Sequence, residues 1–298
     1  MTDAVLLTCH GTVADPADVP GFLANIRRGR PAPPEMVQEI RHRLEVIGGS
    51  PLMRITAEQA SGLEARLGIP CRIAGRMWGP YPADVLPGMV EAGATRVLSL
   101  PLAPHSVHLY NGTVREAAAA LPGLALVEAP PWGEEPALVE ALAETVREGL
   151  ARADALGRAR SETAVVLSAH SLPLRALQAG DPYETQFRAT AERVRERLAS
   201  TGHPISIAFQ SQGMTGDAWL GPDLPAAFAA VKEAGARAVV IAPIGFLAEH
   251  VETLYDLDVD APRLAHAAGL EAFRAPAVCA RPRLIDALEA VARRALGL

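Results

Sequence analysis

Short apolar runs alternate along the chain with longer segments whose apolar residues recur every three or four positions. Val, Leu, Ile and Ala dominate residues 4–9, 96–100 and 124–127, and again 164–168, 205–209 and 238–242 in the second half. Runs of that length between turn residues predict strands covered on both faces, as in a parallel sheet. The 3.6-residue period predicts helices over 35–46, 57–67, 136–151, 183–198 and 284–296. Together they predict an α/β chain.

An internal repeat sharpens that expectation. The segment from Ala4 to His10 resembles the segment from Ala164 to His170, each a strand pattern running into a histidine. Glu91-Ala-Gly-Ala-Thr-Arg-Val-Leu98 resembles Glu233-Ala-Gly-Ala-Arg-Ala-Val-Val240, and a further histidine follows each, His105 and His250. The repeat predicts two similar doubly wound parallel-sheet domains, Rossmann- or flavodoxin-like, facing across a cleft with ligands at the carboxyl ends of the strands. The polar stretch 154–161 predicts the boundary, giving domains 1–156 and 157–298.

Composition narrows the function. The chain has 298 residues, 49% of them hydrophobic and 21% charged, which is ordinary globular material. A net charge of −6 argues against a nucleic-acid partner, which needs a basic face. Cys9, Cys71 and Cys279 lie too far apart for a disulfide scaffold or a local CxxC site. No apolar run approaches the ~18 residues of a membrane span, and the start lacks a basic signal-peptide region, so a cytoplasmic protein is expected.

Three constellations carry candidate chemistry. His170 follows a buried strand, at the sheet edge where α/β proteins keep their active sites; His10 holds the equivalent place after the first strand. Beyond His170, Gly180-Asp181-Pro182 predicts a helix start, with Asp181 as N-cap and Pro182 as first helical residue. Glu252, Asp256 and Asp260 recur every fourth residue, so a helical or slightly underwound segment stacks three carboxylates on one face. Such a row suits a divalent metal in transit or a hydrated magnesium; the competing reading is a solvated acidic face. The arginines of 27–30, ahead of the proline-rich turn 31–34, suit forked hydrogen bonds to carboxylates. Cys9, with nothing to complete a thiolate site, reads as strand filler.

These segments resemble the ferrochelatase family, the class II chelatases that insert ferrous iron into a porphyrin, and in particular its short, coproporphyrin-type bacterial members. The matching stretches are Gly11-Thr12, 26–31, 47–52, Tyr110-Asn111, 168–173, 180–183, 209–213, 219–222 and 250–255, in order along nearly the whole chain. The resemblance implies that His170 is the active-site histidine and Glu252 its acidic partner, both able to meet iron. It assigns Arg27, Arg43, Ser50 and Tyr110 to the porphyrin rim and its propionates. Asp256 and Asp260 match outer acidic positions that guide iron or hold hydrated Mg²⁺, with Arg43 near that outer site too. It implies haem biosynthesis with Fe²⁺ as substrate, no prosthetic group, no iron–sulfur cluster, and a monomer without nucleic-acid or membrane partners.

Two departures stand out. Similar members commonly carry a tyrosine as axial iron ligand where this chain has His10, so an imidazole takes that place. The segment around Pro104-His105 is also shorter than usual. The rival readings are a sirohydrochlorin-type cobalt or iron chelatase, disfavoured by the single arginine cluster, and a non-catalytic porphyrin or haem carrier, which has no need of the acidic row.

Overall fold

The computed structural model describes residues 2–213 and 217–298. Its strands are β1 (Asp3–Cys9), β2 (Cys71–Gly75), β3 (Arg96–Pro101), β4 (Ala125–Glu128), β5 (Thr163–His170), β6 (Ile205–Gln210), β7 (Ala238–Ala242) and β8 (Glu271–Arg274). They form two four-stranded sheets, ordered β2-β1-β3-β4 and β6-β5-β7-β8, and every strand pairing is parallel. The two α/β sheets share one topology, as the repeat predicts, and β1 and β5 hold the same place in it. Parallel pairing requires crossover connections, and helices on both faces supply them.

In the first sheet, Leu6, Ala74 and Val97 pack on Leu86, Met89 and Val114 of the helices Pro82–Glu91 and Val107–Ala118. In the second, Val166, Ala208, Val239 and Ile241 pack on Leu224, Phe228 and Val231 of Leu224–Glu233 and on Ala261 and Ala265 of Ala261–Ala267. The likeness extends beyond the repeated residues. Each sheet has a cis Gly-Pro bond, Gly79-Pro80 and Gly221-Pro222, whose proline carbonyl accepts a strand N–H at 2.8 Å, from Gly75 and Phe209 respectively.

The two compact units are Met1–Glu135 with Cys279–Leu298, and Pro136–Val278. This differs from the expected division at 156/157, for a physical reason. Helix Pro136–Ala155 packs on the second sheet, where a Cβ on Gly149 would lie 2.7 Å from Val240 and 3.1 Å from Ala275. The polar stretch after it is only the loop into β5. Helix Pro282–Leu296 returns to the first unit: Arg66 lies 3.1 Å from Asp286, and Arg96 donates to the Leu296 carbonyl at 3.1 Å. Among the described residues, no helix is long and apolar enough to cross a membrane.

The sequence pattern misses β2 and β8. β2 interrupts its apolar run with an exposed Arg72, and β8 is a four-residue edge strand of half-buried residues. Neither offers the continuous run that marks a doubly covered strand.

The loop leaving β7 crosses close over β5: Gly245 donates to the Ser168 carbonyl at 3.0 Å, and a Cβ there would meet Ala169 Cβ at 2.4 Å. Gly245→Ala is therefore expected to destabilise the protein by about 1–3 kcal/mol through overpacking. Urea unfolding checks it; an unchanged midpoint contradicts the close approach.

Candidate active site

β5 is buried along its length until His170, its last residue, so the imidazole emerges at the carboxyl edge of the sheet. Neighbours fix its main chain. His170 pairs in register with Gln210, the Ser171 N–H donates to the Gln210 carbonyl at 2.7 Å, and the Tyr183 hydroxyl donates to the His170 carbonyl at 2.9 Å. The buried Ser171 hydroxyl donates to the Leu220 carbonyl at 2.8 Å, and Pro173 bridges Trp219. The segments 180–183 and 219–222 thus serve the histidine by holding the backbone around it. The helix start there lies one residue later than expected: Tyr183 is the first helical residue, and Asp181 accepts its N–H at 3.0 Å.

The facing residues come from the chain beyond β7. His170 Nδ1 lies 3.1 Å from a Glu252 carboxylate oxygen, and the two side chains keep 35% and 33% of their surface exposed. Burial disfavours the imidazolium, but the charges of Glu252 and Asp256 and the contact with Glu252 outweigh it, so the His170 pKa is raised. His250 lies in the same electrostatic environment, stacked edge-on against Phe246 at 4.9 Å, with its pKa lowered by burial. The sequence reading placed His250 in the repeat but not in the site. Its counterpart in the first unit, His105, is fully enclosed and pushed down to about 4 by burial alone, a neutral core histidine.

Glu252 sits on a single helical turn, Val251–Leu254, that runs into a wider turn over Asp256–Asp260. There the Asp260 N–H donates to the Tyr255 carbonyl at 3.2 Å, five residues back. This is a local underwinding relative to the α-helix. The Gln210 side chain donates to the Glu252 carbonyl at 2.8 Å, and the Ser211 hydroxyl donates to the Asp256 carboxylate from a left-handed backbone of φ 60°. Asp256 is buried; Asp260 is partly exposed and lies 3.8 Å from Arg263. Among the described residues, no three His, Cys, Asp or Glu side chains close around one point as a metal cage. His170 and Glu252 are brought together, and Asp256 and Asp260 follow along the wider turn beyond them.

In the first unit, His10 follows β1, with Nδ1 3.1 Å from the Gly11 carbonyl and its ring edge-on to Phe22 at 5.8 Å. Gly11 has φ 83°, and a Cβ there would lie 2.5 Å from the Trp78 carbonyl oxygen, so this turn admits only glycine. Arg27 ends the helix Val19–Ile26, and its Nε donates to the Pro31 carbonyl at 3.3 Å. Arg43 pairs with Glu39 at 2.6 Å along its own helix. The Ser50 hydroxyl is buried without a hydrogen-bond partner among the described residues, and Tyr110 is buried with the Arg76 guanidinium 5.7 Å from its ring centre. Asn111 does structural work: it accepts from Ser99 at 2.8 Å and donates to the Ala129 carbonyl at 3.0 Å. Cys9 is buried, with its thiol pKa raised by desolvation, as strand filler should be.

A family model described as ferrochelatase matches residues 2–296. The chain belongs to the ferrochelatase family. It is 36% identical over 313 residues to a ferrochelatase of Acidobacterium capsulatum, covering 98% of this chain and 94% of the relative. It is 34% identical over 306 residues to the coproporphyrin III ferrochelatase of Bacillus subtilis, covering 98% and 97%. Solved structures share the fold: SirB from Bacillus subtilis with Fe³⁺ superposes with a TM-score of 0.62 at 16% identity, over 99% of this chain and 96% of that one. CbiX, the terminal enzyme of sirohaem biosynthesis in denitrifying bacteria, gives 0.55 at 17% identity, over 98% and 99%. At such identities these likenesses speak for the fold alone, so the sirohydrochlorin reading loses to the ferrochelatase one. As a ferrochelatase, the protein is an enzyme of haem biosynthesis that inserts Fe²⁺ into a porphyrin.

Beside the site, Glu249 accepts from Arg274 at 2.8 Å, the Ala277 N–H at 2.9 Å and the Thr253 hydroxyl at 2.6 Å. Burial raises its pKa, but the Arg274 charge and these hydrogen bonds outweigh it and hold the carboxyl below the usual range. A depressed carboxylate contributes stability that is present above its unfolded value, about 4.3, and is lost as pH falls through the folded value. Glu249→Gln is therefore expected to cost roughly 1–3 kcal/mol near neutrality, with the gap to wild type closing in acid. Urea unfolding at stepped pH measures it; a gap independent of pH contradicts the assignment.

Proposed function

We propose that the porphyrin is coproporphyrin III and that His170 is the group that accepts a pyrrole proton as iron enters. Metallation removes two pyrrole N–H protons for each Fe²⁺ bound, so the site must offer a base on the side from which the metal arrives. The observation that carries this reading is the His170–Glu252 pair at the carboxyl end of β5. The imidazole is oriented by its neighbours, remains partly open to solvent, and stands beside a carboxylate that stabilises the protonated form. Glu252 then passes the proton outward, and Asp256 and Asp260 lead hydrated iron inward, with the outer position also suited to hydrated Mg²⁺. A succession of separated carboxylates fits transit better than a closed cage, which would trap the ion.

On the first unit, the reading gives Arg27, Arg43, Ser50 and Tyr110 contacts to the porphyrin and its propionates. The unpartnered Ser50 hydroxyl supports this, since a buried hydroxyl gains from a polar ligand atom. His10 takes the axial place that a tyrosine holds in similar family members. Binding energy from propionates gripping arginines can bend the macrocycle toward its metallation geometry. The relatives named for coproporphyrin III and the Arg27–Arg30 cluster favour the four-propionate substrate. A monomer acting in the cytoplasm, without a prosthetic group, completes the proposal.

Two measurements test it. His170→Ala should abolish insertion while porphyrin binding stays within about tenfold. In Glu252→Gln, the acid limb of the kcat/KM profile should move to lower pH. The sign follows from the base role: activity rises as pH rises through the raised His170 pKa, and removing Glu252 lowers that pKa. More than roughly a tenth of the wild-type rate in His170→Ala would sink the assignment.

Insertion into coproporphyrin III and protoporphyrin IX, compared side by side, tests the substrate. Coproporphyrin III should be preferred, and Arg27→Ala should weaken it more than protoporphyrin IX, which has two propionates. Equal losses would leave Arg27 as surface charge.

A further inference from the structure

The segment 249–260 is stapled to the edge of the second sheet at two places. The end of β6 supplies the first staple, through Gln210 to the Glu252 carbonyl and Ser211 to the Asp256 carboxylate. The end of β8 supplies the second. Arg274, its last residue, keeps 17% of its side chain exposed and donates from Nη1 to Glu249 at 2.8 Å and from Nε to Asp258 at 2.5 Å. Glu249 immediately precedes His250, and Asp258 lies in the wide turn between Asp256 and Asp260. One planar guanidinium therefore fixes both ends of the stretch that bears Glu252 and Asp256.

We propose that Arg274 is a positioning residue for iron delivery, holding the wide turn so that Glu252, Asp256 and Asp260 keep their order relative to His170. The proposal rests on the reading of those carboxylates as the iron path. A turn closed by five-residue hydrogen bonds has poorer intrinsic geometry than an α-helix and needs support from outside itself. Exposed ion pairs contribute little, whereas this guanidinium is largely removed from water and spends separate donors on two acids. Arginine alone has the shape for this. A lysine keeps the charge but is a point donor that cannot hold two carboxylates at a fixed separation.

The test uses the full-length enzyme, with iron varied at saturating porphyrin and then the reverse. Asp258→Asn weakens the more exposed end of the fork and leaves the Glu249–Arg274 pair in place, so its unfolding midpoint should stay within a few degrees of wild type. Its apparent KM for Fe²⁺ should rise roughly tenfold, the order seen when outer partners of metal ligands are removed, while the porphyrin KM holds. Arg274→Lys retains every carboxylate and the positive charge, and should raise the iron KM as well. An unchanged iron KM in Asp258→Asn overturns the proposal. So does a rise in Asp258→Asn that Arg274→Lys does not share, since Asp258 would then act through its own charge. A parallel rise in both KM values with a lowered unfolding midpoint also overturns it, as general loosening. The Asp256→Asn/Asp260→Asn double variant reports separately on the path. A silent double variant removes the iron-path reading itself; a raised iron KM there with a silent Asp258→Asn removes only the role of Arg274.

Discussion

A parallel strand buried on both faces has one place where its side chains can meet a ligand, and that is its end. β5 is enclosed by its neighbours β6 and β7 and by helices above and below, and it leaves this enclosure only at His170. The connections of such a sheet lead to opposite sides from the central pair of strands, which opens a gap at the carboxyl edge. The chain beyond β7 fills that gap with Glu249, His250 and Glu252. Gln210 and Ser211 tie one side of the gap to the other, the Tyr183 hydroxyl holds the His170 main chain, and the Arg274 fork holds the facing segment.

The two units show what the same topology does with different side chains. His10 and His170 occupy equivalent strand ends, yet one imidazole rests on a backbone carbonyl and a phenyl edge while the other faces a carboxylate. His105 and His250 form a second such pair, one sealed in the core and the other beside His170. Repetition supplies the scaffold twice, and a carboxylate faces the strand-end histidine at β5.

The sheet order and its duplication were legible because doubly covered strands leave unbroken apolar runs, and because Ala4–His10 and Ala164–His170 keep those runs in the same order. His170 and Glu252 were legible for a related reason, since a histidine after such a run and an acid in a rigid spacing are local signals. Arg274 and Gln210 were not. Each looks like an ordinary polar residue at the end of a short strand, and each matters only through a partner far along the chain, 42 residues away for Gln210 and 25 for the Arg274–Glu249 pair. The domain division escaped for the same reason. A polar loop after a long helix resembles a linker, and only packing shows which sheet that helix covers.

The path of the chain between the units bears on how the protein is made. The second unit is one continuous stretch, Pro136–Val278, whereas the first is completed only by helix Pro282–Leu296. That helix brings Leu284, Leu288 and Val291 into the first unit's core, and Arg96 reaches the carbonyl of its Leu296. Domains usually mature in the order in which a ribosome releases them, amino-terminal first. Here the amino-terminal sheet emerges early but gains the helix that packs beside β3 and β4 only after the whole second unit has been synthesised. The unit that begins first along the chain is thereby the one completed last.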